Sequence, residues 1–523
     1  MNKFIQKLYK NIQIPPLLVP KLAFANQVVM NKLSFILSQT IIYFLVILFV
    51  YTGVSKLLDT GIFISQIAQS NMLAPYAKFL ALVVPIIELG LAIALLIPHL
   101  RIKALLGSYF LMLSFSIYVY LIWMYSPNIP CSCGGILEAM DWEAHLYFNG
   151  ALTFLAGLAW KLEQAPPISY KHLLIGSLLA ISLVLALFFL QPQPKLLEDH
   201  SFSRSYYTGE IKEIASQKLA YNSYYLAGVK DSLVYLGNST GFTHGLVWNY
   251  HTSDTLHFKI ELPDAPESFK ALPKWKVYEG YFYMAEGVTP SIYKGKVDEW
   301  IAKEFMPQVP YFSDWVAIDS TRFILRALQA STQKYVLVDY KDTEPYVTIH
   351  NVLVQENENL FEVDGNLIWN TKKQQIGYLY FYKNQLPSWN LNFSKVEKLD
   401  LLYASDLAEI QTNKGRDGTH LRDNPTSALH SKAIAHNDHW FVHSQVLGKG
   451  DIDAGMQKYN LIDVYHNDTG YKYSIAIPRR NGVEIREFYI NDIYLIALYP
   501  NELVVYMLNN FFMAMKKQEK PNT

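Results

Sequence analysis

The chain predicts a multidomain membrane protein, an α-helical transmembrane bundle followed by an all-β six-bladed propeller. Nearly all long uncharged apolar runs lie before residue 192, while a module of aromatic-rich strands recurs six times beyond about residue 205. Between them the composition breaks at "QPQPK", Gln191 to Lys195. Hydrophobic residues make up 51% of the chain, and 45 Lys and Arg balance 45 Asp and Glu. That neutrality gives no basis for a nucleic-acid or polyanionic partner.

Five runs have the length and apolarity to cross a bilayer, which takes ~20 residues of helix. They cover about 34–54, 76–98, 103–125, 145–162 and 173–190; the fourth is short and carries His145 and Asn149. The first run starts too far from Met1, and lacks a small-x-small site before Lys56, to read as a cleaved signal peptide. Met30 offers an alternative start. Lys3, Lys7, Lys10, Lys21 and Lys32 precede the first run without an acidic residue; Arg101, Lys103, Lys161 and Lys171 fill the even-numbered links. Loop 126–144 instead holds Glu138, Asp141 and Glu143. The positive-inside rule then predicts a multi-pass protein of a bacterial inner membrane, its N-terminus cytoplasmic and everything after residue 190 periplasmic.

The resulting domain boundaries are a cytoplasmic segment at 1–33, a bundle at 34–165, and a fifth helix with linker at 166–195. A periplasmic propeller at 196–513 and a tail at 514–523 complete the chain.

Charge inside the helices is sparse. Glu88, in "VVPIIELGLAIALL", falls about 12 residues from the outer end of the second run, or ~18 Å deep at ~1.5 Å per residue. A carboxylate at that depth is either a functional group or a protonated acid bonded to a neighbouring helix loosened by Pro85. Lys56 and Asp59, in "TGVSKLLD", stand at the outer end of the first run, where anchoring and capping account for them.

Both cysteines, Cys131 and Cys133, sit one residue apart in "SPNIPCSCGG". The flanking Pro127, Pro130, Gly134 and Gly135 favour a turn. A disulfide needs its Cα atoms ~5.5–6 Å apart, so a bridge across a single residue is strained and correspondingly oxidising. It closes almost no loop and adds little stability. A structural zinc site lacks a second cysteine pair. The readings left are thiol–disulfide exchange and two incidental cysteines. Two cysteines do not make a relay between two dithiol pairs. Exchange therefore implicates either a membrane quinone as cofactor or a separate periplasmic thioredoxin-like protein or exported substrate.

"GVSKLLD", "PIIELGLAIALLIP" and "CSCGG" together resemble the MauE family of DoxX-like membrane proteins over about residues 35–165. The resemblance implies a four-helix inner-membrane bundle tied to periplasmic redox chemistry and, at family level, to methylamine metabolism and the disulfides of methylamine dehydrogenase. By position, Cys131 and Cys133 match the family's Cys-x-Cys, and Lys56 and Glu88 match its charged positions. This chain departs from the family's short form by a fifth helix and the whole segment after it.

In the second half, strands recur after Asp, Asn or Gly turns: "KDSLVYLGN", "EGYFYMAEG", "DSTRFILRA", "DGNLIWNTK", "HNDHWFVHS" and "INDIYLIAL". These anchors begin near 230, 279, 319, 364, 436 and 490, about 40–55 residues apart with one gap near 72. That is blade spacing, and the modules resemble six-bladed propellers common in Bacteroidetes proteins. The long gap, with residues 413–431, reads as a loop in or beside the fifth blade. His436, His439 and His443 cluster in sequence, but on a strand His439 and His443 stand ~13 Å apart, too far for one metal. No phosphate loop, nucleophile elbow or calcium loop occurs.

The sequence therefore makes the chain a candidate thiol–disulfide oxidoreductase whose propeller docks a partner. Two other readings stay open: a non-enzymatic anchored propeller binding a peptide, glycan or protein, and a quinone-linked oxidoreductase subunit centred on Glu88.

Overall fold

The computed structural model describes residues 18–68, 70, 72–73, 76–125, 142–163, 170–190, 197–266, 269–306, 309–355, 360–402, 412–414, 420–422 and 428–509. The chain divides into a helical unit, residues 1–194 with 411–425, and a β unit formed by the rest.

In the helical unit, α1 (Leu18–Leu58), a short α2 (Thr60–Ala68), α3 (Ala77–Leu96), α4 (Arg101–Tyr125) and α5 (Trp142–Glu163) precede α6 (Tyr170–Phe189). Stretches of α1, α3, α4 and α6 are long and apolar enough to cross a membrane: Lys32–Leu58, Ala77–Leu96, Arg101–Met124 and Tyr170–Phe189. The fifth long helix, α5, has 22 residues but carries Glu143, His145, Asn149, Lys161 and Glu163. Helices α1, α3, α4 and α5 share one core, built on Phe49 and Leu45 from α1, Leu95 from α3, Met112 from α4, and Trp160 with Ala156 from α5. Helix α6 packs on α4 and buries only Val184 among its residues, so it stands outside the four-helix core.

Small residues set the helix spacing. A Cβ on Gly53 would lie 2.9 Å from Leu89 Cγ and 3.2 Å from the Pro85 carbonyl oxygen, so this glycine lets α1 approach the α3 backbone. The buried face of α3 is Ala77, Ala81, Pro85, Glu88, Ala92 and Leu95, a repeat at helical spacing interrupted by a single charge.

The β unit contains six four-stranded antiparallel sheets. Blades one to five occupy 224–259, 274–304, 314–350, 365–400 and 430–478. Blade six combines Glu487–Asn491, Tyr494–Tyr499 and Glu502–Leu508 with an outer strand, Ile211–Lys218, from the start of the domain. The first strands of successive blades line the centre and meet around the ring, blade two reaching blade three through Lys276 and blade six returning to blade one. Six apolar clusters fill the six blade interfaces. The closing interface packs Trp248 and Leu236 of blade one against Leu503 and Val505 of blade six.

Five of the six sequence anchors fall on second strands rather than first. The reason is the hairpin between them: Asp231, Glu279, Asn437 and Asp492 take the left-handed conformation there, with φ of 52°, 48°, 55° and 50°. In blade four the anchor "DGNLIWNTK" is instead the first strand, Gly365–Asn370, because Asp364–Gly365 imitates the turn signal. The gap of 72 is partly this slip. The remaining insertion joins Val396–Asp400 of blade four to His430–His436 of blade five, beside the fifth blade. Its short hairpin, Thr412–Lys414 with His420–Arg422, groups with the helical unit.

The segment leading into the ring is clipped to blade five. Leu197–Asp199 pairs in parallel with Val446–Gly448, and Tyr206 bridges Ser474. Between these contacts Arg204, with none of its side chain exposed, forks onto Asp463 at 2.8 and 3.0 Å and reaches Asp451 at 2.6 Å. The Tyr206 hydroxyl donates to Asp451 at 2.7 Å and the Ser474 hydroxyl to Asp463 at 2.5 Å.

Candidate functional site

Helix α1 ends beside the middle of α3, and this offset decides what Lys56 can reach. Its Nζ lies 2.5 Å from Glu88 Oε1. The Glu88 side chain is 2% exposed and that of Lys56 17%, so the pair sits within the bundle and Lys56 points inward rather than serving as an anchor. The Lys56 ammonium also lies 5.5 Å from the Phe63 ring centroid and 5.8 Å from that of Phe115, which places an aromatic from α2 and another from α4 around the charge. Glu88 Oε2 is buried and has no hydrogen-bond partner among the described residues.

The pair joins α1 to α3 immediately beside the Gly53 contact with Pro85 and Leu89. On α5, His145 and Asn149 are buried polar residues, and His145 lies within electrostatic reach of Lys56.

Asp59 stands in the turn between α1 and α2, where its carbonyl accepts from Phe63 N at 3.0 Å; its carboxylate joins neither Lys56 nor Glu88. Cys131 and Cys133 belong to segment 126–141, which lies outside the described residues. The sequence reading missed a second polar cluster at the opposite end of α5. There Glu163 accepts from Ser38 Oγ at 2.5 Å and Gln39 Nε2 at 3.0 Å, and stands 3.7 Å from Arg101. A charged residue at a helix end reads as a solvated flank, so nothing in the sequence singles Glu163 out.

In the propeller the blade-five histidines have separate surroundings. His443 Nδ1 bonds the Ser431 hydroxyl at 2.6 Å, His439 stacks edge-on with His466 at 5.0 Å, and His436 pairs with Asp492 at 3.3 Å. Among the described residues no three His, Cys, Asp or Glu side chains converge as a metal set.

These features define a class, a multi-pass helical membrane domain carrying a six-bladed propeller. Within it, residues 34–162 match the family model described as Methylamine utilisation protein MauE, so the four-helix core is similar to that family, and α6 and the propeller lie beyond the match. No curated protein matches the chain. Among solved structures, similar folds include a member of the DUF4221 family from Bacteroides vulgatus, 10% identical with a TM-score of 0.40, covering 58% of this chain and 99% of that one. A putative exported protein from Bacteroides fragilis is 10% identical with a TM-score of 0.35, covering 60% and 98%. A streptogramin B lyase structure is 12% identical with a TM-score of 0.36, covering 57% and 98%. The propeller assignment stands on the strand order of this chain.

Proposed function

We propose that the protein is an inner-membrane thiol–disulfide redox protein that oxidises or maintains disulfides of periplasmic proteins, with the propeller as its docking platform. The observation that supports this most is the placement of both cysteines, as Cys-x-Cys, between α4 and α5 of the MauE-like core. The distribution of Lys and Arg supports a periplasmic side for that segment and the propeller, a compartment in which a disulfide persists.

In the proposed step a partner thiolate attacks the Cys131–Cys133 disulfide, forming a mixed disulfide and releasing the other cysteine as a thiolate. The partner's second thiolate then displaces the bound cysteine. The partner loses two electrons and two protons, and the pair gains them as two thiols. Reoxidation passes the electrons and protons to a membrane quinone or to the disulfide of a second thioredoxin-like protein.

Cys131→Ser and Cys133→Ser variants, each recovered under acid quench, are expected to trap a mixed disulfide with a periplasmic protein through at least one of them. No adduct with either, together with wild-type function of the double variant, would sink the proposal. A second reading, a quinone-linked subunit that does not use the cysteines, is favoured by the buried Lys56–Glu88 pair. It predicts that Glu88→Gln lowers quinone reduction at least tenfold in a folded protein, and that neither cysteine variant traps an adduct. Unchanged quinone reduction in Glu88→Gln would make the carboxylate structural.

A further inference from the structure

The inner strands of the propeller carry a ring of side-chain bonds, each from one blade to the backbone of the next. Tyr225 of blade one accepts from Trp275 N of blade two at 2.8 Å. Lys276 of blade two donates to the Trp315 carbonyl of blade three at 2.6 Å. Asp314 of blade three accepts from Leu367 N of blade four at 3.0 Å. Asn366 of blade four both accepts from Ala433 N and donates to the Ala433 carbonyl of blade five, each at 3.2 Å. Glu487 of blade six accepts from Leu226 N of blade one at 2.7 Å, closing the circle.

The step from blade five to blade six is the exception. The residue of blade five in the equivalent place, directly before Ala433, is Lys432. Among the described residues its ammonium makes no hydrogen bond or ion pair. Ser431 beside it is the extra residue of a bulge in the strand, which alters the local direction of the chain.

Lys432 does not stand alone. It acts electrostatically on Lys276 and on Asp314, while Lys274 and Glu487 act on Lys276. Lys276 and Asp314 are only 3.6 Å apart, yet they keep 40% and 25% of their side-chain surface exposed. Both stand on the innermost strands of neighbouring blades, so their exposed surface faces the central channel of the ring. Arg326 also acts on Asp314 and pairs with Asp364 at 3.6 Å, so four cations against three carboxylates leave one positive charge in this group. All but Lys432 have stated partners: Lys276 and Asp314 each other, Arg326 and Asp364 each other, Glu487 the Leu226 amide, and Lys274 the Tyr225 ring at 5.6 Å.

We propose that the propeller channel is a binding site for a single carboxylate group, received by Lys432 at the blade step that lacks the inner-strand bond. A monoanion balances the surplus charge, and Lys432 brings three unused donors to it. A phosphate dianion would overshoot that balance beside Asp314 and Glu487. The site is independent of the cysteine chemistry proposed above.

The test is isothermal titration of the full-length protein in detergent with four probes: acetate, an acetylated tripeptide with a free C-terminus, the same tripeptide amidated, and inorganic phosphate. The free-acid tripeptide is expected to bind and the amidated one to lose at least tenfold. Acetate binding as tightly as the tripeptide assigns a small carboxylate, whereas tripeptide preference assigns a chain end. Lys432→Gln is expected to weaken binding at least tenfold without moving the thermal unfolding midpoint, and Lys432→Arg to retain most of it. Absence of tripeptide and acetate binding at millimolar concentration overturns the site. So does equal binding by Lys432→Gln, or phosphate binding more tightly than either carboxylate.

Discussion

Arg204→Ala is expected to destabilise the propeller by about 3–5 kcal/mol, the usual cost of removing one partner from a buried ion pair. The guanidinium is wholly buried and answers two carboxylates, Asp451 and Asp463, themselves 3% and 1% exposed. Without it, both must be left uncompensated or protonated in the interior. Burial alone would lower the Arg204 pKa, but the two aspartates outweigh it and hold the residue charged. A lysine supplies charge without the fork that meets both Asp463 oxygens, so Arg204→Lys should recover only part of the loss. Thermal or urea unfolding followed by far-ultraviolet circular dichroism measures both variants; an unchanged midpoint for Arg204→Ala would refute the anchoring role.

The second large effect is acid sensitivity centred on the same blade. Burial lowers the pKa of His430 to about 4 and of His443 to about 3, and burial followed by the neighbouring His466 takes His439 to about 4. All three are neutral in the folded protein at pH 7, and in the unfolded chain they titrate near 6.5. Below that value the unfolded state binds protons that the folded state refuses, so stability is full above pH 6.5 and falls as pH drops toward 4. A shift of this size is worth roughly 3 kcal/mol per group once the pH reaches the folded value. The unfolding midpoint should therefore fall steadily from pH 7 to pH 5. His430→Leu should flatten that slope, because His430 is fully buried and neither ring nitrogen has a hydrogen-bond partner among the described residues. A midpoint independent of pH over this range would contradict the buried neutral state.

Much of the architecture was legible because it rests on local patterns. Apolar runs marked the long helices, and turn residues with positive φ marked the hairpins of the blades. The first strands were harder to read. Asp314–Ala317 is four residues long and has no turn signal before it, so periodicity alone does not expose it. The nine residues of Thr60–Ala68 continue the apolar character of α1, and only the backbone shows that they form a separate helix. Of the candidate site, Lys56 and Glu88 were each visible as charges in apolar surroundings, but their pairing spans 32 positions and depends on where α1 ends beside α3. The Arg204 network lies still further beyond sequence reading, since its partners are 247 and 259 residues away. An arginine in a polar stretch looks solvated until the chain that covers it is known.

The way blade six is assembled sets an order of events during synthesis. Its outer strand, Ile211–Lys218, emerges among the first residues of the domain, whereas the strand it pairs with, Glu502–Leu508, is almost the last. Until the ribosome has passed Leu508 the early strand has an open edge, and blades one and five each face a missing neighbour. Partly made rings with exposed strand edges are prone to wrong pairing. A stop codon even a few residues before Glu502 would leave five complete blades and an unsealed molecule. The codons for that one late strand thus govern whether the ring translated before it closes.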